Sequence, residues 1–156
     1  MDGQIEKYMK AALKEAEKAA AEDEVPVGAV AVCGGKIIAK AHNKKEQKSS
    51  ATRHAEIELL EKAAAKIGNW WLEDVDVFVT LEPCAMCTGA MINARIRSLY
   101  FGAWEPKTGC CGSLYDFPND KRFNYNFPVH GGIMAEECSR ILSDYFKGKR
   151  IKKQVN

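Results

Sequence analysis

The sequence predicts an α/β protein of three layers, with helices on both faces of a central, mixed five-stranded sheet. Two observations carry that prediction: stretches of helical period alternate with short strand-like runs, and the runs follow the order helix, hairpin, helix, strand, helix, strand, loop, strand, helix. A length of 156 residues allows one compact domain with a sizeable core and leaves little room for a second, so residues 1–156 are read as a single domain.

Ile5, Met9, Leu13, Ala16 and Ala20 recur at helical spacing among Lys and Glu. They describe an amphipathic first helix ending near the acidic residues 22–24, with Pro26 closing it off. Residues 27–33 and 36–43 flank Gly34-Gly35, the signal for two antiparallel strands joined by a tight turn. Residues 44–52 are polar and read as a loop. Over residues 54–67, Ile57, Leu60, Ala64 and Ile67 return to helical spacing, and Gly68 is a plausible stop. Residues 75–81 form a third, buried strand. Pro83, acceptable in the first turn of a helix, introduces a segment carrying Cys84, Cys87 and Met91. Residues 96–102 supply a fourth strand. Residues 103–126, rich in Gly, Pro, Asn and aromatics, are too long for a simple connection and have the character of a segment that lines a site. A short last strand is expected at 127–129, then a closing helix over 135–149 with Ile141, Leu142, Tyr145 and Phe146.

Apolar residues make up 46% of the chain and charged residues 28%, the balance of a soluble globular protein. No apolar run approaches the roughly 20 residues of a membrane-spanning helix, and no secretory signal pattern opens the chain, so a cytoplasmic location without membrane partners is expected. Under that expectation the six cysteines are reduced thiols, and metal binding is their leading specialised use. A net charge of +2 gives no general case for nucleic-acid binding; any such case rests on where the charges sit.

Cys84 and Cys87 lie three apart at the start of a predicted helix, with both sulfurs on one face and the helix dipole favouring thiolates. His54 opens a different helix. One imidazole and two thiolates form a borderline-soft donor set that suits Zn²⁺. Structural zinc sites are usually closed by four protein ligands, whereas a catalytic ion keeps a position for water. Glu56 stands beside the three candidate ligands as a proton shuttle and not as a fourth ligand. A lone Cys-x-x-Cys would equally suit a redox pair or half of a structural zinc knuckle; His54 and Glu56 weigh against both. Cys110 and Cys111 could close the zinc shell, but they sit in the irregular loop without a matching partner and are read as thiols near the site; Cys33 and Cys138 are read as core residues, and His42 and His130 lack ligand spacing.

His54-Ala55-Glu56 followed by Pro83-Cys84-Ala85-Met86-Cys87 resembles the known signature of zinc nucleobase deaminases. Over nearly its whole length the chain also resembles the bacterial tRNA-specific adenosine deaminases of the cytidine deaminase superfamily. That resemblance rests further on residues 24–30, 79–84, 89–92, 101–103, 107–109 with 112–114, and Glu137-Cys138. It implies a cytidine-deaminase-like fold, one zinc ion per subunit, and a homodimer that converts the wobble adenosine of a tRNA anticodon stem-loop to inosine. By motif position it gives Glu56 the catalytic proton transfers, Asn43 a hydrogen bond to the flipped base, the Ala55 backbone a contact with it, and Val25 the apolar wall. Arg53, Glu105 and Tyr125 depart from the family pattern, standing where a small residue, Asp and His are usual. Lys147, Lys149, Arg150, Lys152 and Lys153 cluster beyond Tyr145 and Phe146, matching a phosphate-binding edge with a stacking platform. Asn124 and Tyr125 either touch a flanking nucleotide or merely pack. The alternatives are the same chemistry on a free base or nucleoside such as guanine or cytosine, and a zinc module that binds RNA without altering it.

Overall fold

In the computed structural model, which describes residues 3–155, the elements run α1 (Gly3–Ala21), β1 (Gly28–Cys33), β2 (Lys36–His42), α2 (Ala55–Ile67), β3 (Val75–Leu81), α3 (Ala85–Ala94), β4 (Ser98–Ala103), β5 (Val129–His130) and α4 (Ala135–Val155). Residues 1, 2 and 156 of the expected domain lie outside the described residues. The five strands lie in the order β2-β1-β3-β4-β5. Pairing is antiparallel for β1 with β2 and with β3, and parallel for β3 with β4 and β4 with β5, so the sheet is mixed as expected.

Because strand side chains alternate between faces, β1 and β3 divide their residues between two cores. Ala29, Ala31, Val77 and Val79 pack with Leu59 and Leu60 of α2 and Met91 and Ile92 of α3. Val30, Val32 and Phe78 pack with Tyr8, Met9 and Ala12 of α1 and Cys138 of α4. The two central strands are therefore apolar on both faces, which a sheet tolerates only between two helical layers. The first helix lies unusually close to β1. A Cβ on Gly28 would stand 2.1 Å from the Ala12 carbonyl oxygen and 2.4 Å from the Ala16 nitrogen, so Ala12, Ala16 and Gly28 together let the two backbones approach.

Several boundaries differ from the sequence reading. Helix α1 ends at Ala21, in a turn in which Asp23 takes φ 60°, so it has stopped before Pro26. Gly34 and Gly35 do make the hairpin turn, at φ 59° and 76°. Pro83 is not in the first turn of a helix; Cys84 is the N-cap and α3 begins at Ala85. Strand β4 starts at Ser98, and β5 is two residues long and shifted to Val129–His130, pairing with Leu99 and Tyr100. Helix α4 continues past 149 to Val155, and its last turn holds Lys152 and Lys153, where cations complement the carbonyl end of the dipole. Within residues 104–128 the regular features are a bridge between Cys111 and Asp116 and a short 3-10 turn at Phe117–Asn119.

Candidate active site

Two helix starts meet on the same face of the sheet. His54 is the N-cap of α2 and Cys84 the N-cap of α3, each with extended backbone, and each helix turns its free N–H groups toward the gap. The His54 carbonyl accepts the Glu58 N–H at 3.1 Å, and the Cys84 carbonyl accepts both the N–H (2.9 Å) and the hydroxyl (2.8 Å) of Thr88. Those bonds fix the backbone from which the imidazole and the sulfur project. Cys87, in the first turn of α3, is buried. The His54 Nδ1 lies 3.7 Å from the Cys84 sulfur and 3.6 Å from the Cys87 sulfur, and the three donor atoms fall within 4.8 Å of one another. One cation could touch all three. Among the described residues this is the one His, Cys, Asp and Glu group with metal-ligand spacing.

Electrostatics follow from that crowding. A hydrogen bond from the Cys87 thiol drives Cys84 down to about 4, while the same partnership and burial push the Cys87 thiol far up, so the pair shares one proton. Contact with the Cys84 sulfur raises the His54 imidazole above its ordinary value. Glu56, 4% exposed and hydrogen-bonded to Cys87, is pushed up to about 7 by burial. A metal displaces thiol protons on binding.

These groups open into a pocket. Its lining combines His54, Ala55, Glu56 and Cys84 with Val25, Val27 and Asn43, with Leu81, Glu82 and Thr108, and with the exposed Lys45. The structure thus brings together the seven residues singled out by sequence: Val25, Asn43, His54, Ala55, Glu56 and Cys84 line the pocket, and Cys87 sits behind Cys84. Asn43 is held by its own hydrogen bonds: Nδ2 donates to the Val25 carbonyl (3.3 Å) and Oδ1 accepts from the Lys45 N–H (3.1 Å). Tyr125 is not among the lining residues; its hydroxyl donates to the Ile96 carbonyl at 2.6 Å and its ring lies under the Arg95 guanidinium. Asn124 is exposed and also outside the pocket lining. His42 is packed between two carboxylates, with Nδ1 3.0 Å from Glu15 and Nε2 2.7 Å from Glu22. Sequence reasoning gave no role to Lys45, Leu81, Glu82 or Thr108; the available signal was a charged residue, Glu82, directly between a buried strand and Pro83.

Cys110 and Cys111 are buried, but neither joins the ligand group, and all six cysteines are free thiols. Cys138 is a core residue as expected, whereas Cys33 is partly exposed at the end of β1.

Residues 4–150 match the MafB19-like deaminase family. The tRNA-specific adenosine deaminase of Bacillus subtilis (strain 168) is 45% identical over 152 residues, covering 97% of this chain and 94% of that one. The chain belongs to the tRNA-specific adenosine deaminase family. Another member of the family, from Haemophilus influenzae, is 44% identical over 96% of this chain and 87% of its own. A solved structure from studies of A-to-I editing by tRNA:A34 deaminases superposes with a TM-score of 0.84 at 40% identity, covering 87% of this chain and 99% of that one. Guanine deaminase from Nitrosomonas europaea, at 23% identity and a TM-score of 0.75 over 90% of this chain and 83% of its own, shares the fold. The family's deaminase fold accounts for the mixed sheet and for the position of α2 and α3. Among the described residues no helix is long and apolar enough to cross a membrane.

Proposed function

We propose that this chain hydrolytically deaminates the wobble adenosine of a tRNA anticodon to inosine, using one zinc ion held by His54, Cys84 and Cys87. The observation that carries this reading is the triangle of one imidazole and two sulfurs at the floor of a pocket, beside a buried carboxylate. Its dimensions suit the ion. Zinc–nitrogen and zinc–sulfur bonds of about 2.05 and 2.3 Å at a tetrahedral angle separate N from S by about 3.6 Å, against 3.7 and 3.6 Å here. His54, Cys84 and Cys87 would hold the ion without a fourth protein donor, and zinc would supply the Lewis acidity that lets water ionise near neutral pH.

The chain's own residues do the rest. Glu56 takes a proton from the attacking water and delivers it to the ring nitrogen of the adenine, then carries the proton of the newly formed C6 hydroxyl to the amino group, which departs as ammonia while the C6 carbonyl forms. Adenosine and water thereby become inosine and ammonia. Its burial supports this role, since a carboxyl raised toward neutrality both accepts and returns protons at working pH. Asn43 hydrogen-bonds the flipped base, the Ala55 backbone contacts it, and Val25 forms the apolar wall; all three line the same pocket as Glu56.

RNA binding is supported by the C-terminal edge. Tyr145 and Lys149 bond to Asp23 at 3.1 and 2.9 Å, which brings α4 alongside the turn leading to Val25. Phe146, Lys149, Arg150 and Lys153 line a groove there that shares Val25 with the pocket. We also read the chain as one domain, cytoplasmic, and a homodimer. An apolar groove between α2 and α3, lined by Ile57, Leu60, Ala64 and the exposed Trp70, supports the dimer.

The test is incubation of the zinc-loaded protein with an adenosine-containing anticodon stem-loop, and separately with free adenosine, guanine and cytosine. Inosine should form in the stem-loop, stop with a chelator, and resume on adding zinc. Reaction of a free base alone would replace this reading with a free-base deaminase. RNA binding with no product would leave a non-catalytic zinc module.

A further inference from the structure

Two glutamates that no chemical step uses are buried next to residues of the pocket, Glu24 beside Val25 in the chain and Glu82 in the lining itself. Glu82 is 2% exposed, and four donors converge on its carboxylate. Oε1 accepts the Glu105 N–H at 2.9 Å and the Ser113 hydroxyl; Oε2 accepts the N–H groups of Cys111 (3.1 Å) and Ser113 (3.0 Å). Glu24 is 0% exposed, and its two oxygens accept the N–H groups of Glu46 (2.9 Å) and Gln47 (2.7 Å).

The donors belong to the two loops that form the pocket's lips. Glu82 holds the loop that carries Thr108, and Glu24 holds the loop that carries Lys45. On the frame side each glutamate sits next to the wall and ligand residues: Glu24 precedes Val25, and Glu82 lines the pocket itself two positions before Cys84. The packing around Glu82 is specific. A Cβ on Gly109 would stand 2.3 Å from the Glu82 carboxyl carbon and 2.5 Å from the Glu105 carbonyl oxygen, so only glycine lets the loop close over the carboxylate. The Cys110 N–H adds a bond to the Pro83 carbonyl at 2.9 Å.

We propose that Glu24 and Glu82 are positioning residues for base recognition, each fixing one lip of the pocket around the entering nucleotide. This inference rests on the deaminase reading above. Neither loop has a strand or helix ladder to hold the backbone N–H groups that these two carboxyl groups accept. Without them the N–H groups of Glu46, Gln47, Glu105, Cys111 and Ser113 lose these acceptors, and the loops keep only bonds among their own residues and their neighbours. Loosened lips weaken the hold on the nucleotide in ground state and transition state alike, so the loss falls first on KM.

The experiment compares the zinc-loaded full chain with Glu24→Gln, Glu82→Gln and Ser113→Ala. A glutamine at 82 turns an N–H toward a backbone N–H whichever way its amide is flipped, whereas Ser113→Ala removes the hydroxyl bond alone. Bound metal, amide exchange and steady-state kinetics on the stem-loop are measured together. Metal content should be unchanged. Exchange should quicken at 46–47 for Glu24→Gln and at 105–113 for Glu82→Gln. KM should rise about 10-fold or more for the two glutamine variants and less for Ser113→Ala, with kcat moving less than KM. Ser113→Ala carries the test should the glutamine variants fail to fold.

Unchanged loop exchange overturns the proposal whatever the activity. So does wild-type kinetics per metal-loaded chain with only a lower melting temperature, a loss confined to kcat, or a loss that tracks missing metal. Absence of inosine in the wild type is a different failure, that of the deaminase reading.

Discussion

Gly28→Ala tests how closely α1 is pressed against the sheet. The added methyl would meet the Ala12 carbonyl oxygen at 2.1 Å, the Ala16 nitrogen at 2.4 Å and the Glu15 Cβ at 2.8 Å, and the first two of these are backbone atoms that no rotamer change can move. Relief requires α1 to lift by about 1 Å from β1, loosening the fully buried Met9, Ala12, Ala16 and Ala19. Overpacking of this kind costs typically 1–3 kcal/mol, and a clash with helix backbone belongs at the top, about 3 kcal/mol. Against it stands the lower entropy of the unfolded chain, about 0.4–1 kcal/mol in favour of alanine. The clash wins by about 2 kcal/mol. For a chain of this size each kcal/mol shifts the melting temperature by about 2–4 °C, so a drop of about 4–8 °C is expected. Thermal unfolding followed by circular dichroism, on protein of verified metal content, reads it directly. A melting temperature within about 1 °C of the parent would refute the close approach of α1 and β1.

Removing the proposed proton shuttle separates metal binding from chemistry: Glu56→Ala should keep one zinc per chain by elemental analysis while inosine formation falls by at least about 100-fold. Retained activity would remove Glu56 from the mechanism. The tail of α4 should respond to acid. Hydrogen bonds from Lys149 and Tyr145 hold the Asp23 carboxyl below its ordinary 3.8, so their contribution is present above that value and is lost as pH falls through the lower folded value. Amide protection around Tyr145 and Lys149, corrected for the intrinsic pH dependence of exchange, should fall between about pH 5 and pH 2, and Asp23→Asn should abolish that fall.

Local pattern carried much of this protein. The spacing of Met9 and Ala16 located α1, the strand-like run at 75–81 located β3, and Gly34-Gly35 gave the hairpin, because each signal lies within a few residues of the feature it encodes. His54, Cys84 and Cys87 were legible for another reason: few residue types offer donor atoms that suit a metal, and these three stand at motif spacing, with Glu56 two positions from His54. What stayed hidden depends on distant partners. Glu82 meets donors 23 to 31 positions away in a segment with no periodicity, and nothing in its own surroundings announces them. Pro83 misled because proline suits both the first turn of a helix and the approach to one; Cys84 took the capping position. The last turns of α4 were invisible to a pattern of apolar spacing because residues 147–154 are mostly charged and mostly exposed.

His54 and Cys84 stand at the threshold of separate helices, on either side of β3 in the chain. Cys84 and Cys87 form a local half-site within one turn, but the imidazole arrives only after β3 has threaded beside β1 and drawn both helices onto one face. Capture of the cation would then be a late event in maturation, locking a sheet already assembled. Stopped-flow refolding should show the same early phase with or without zinc, and an ion-dependent early phase would reverse that order.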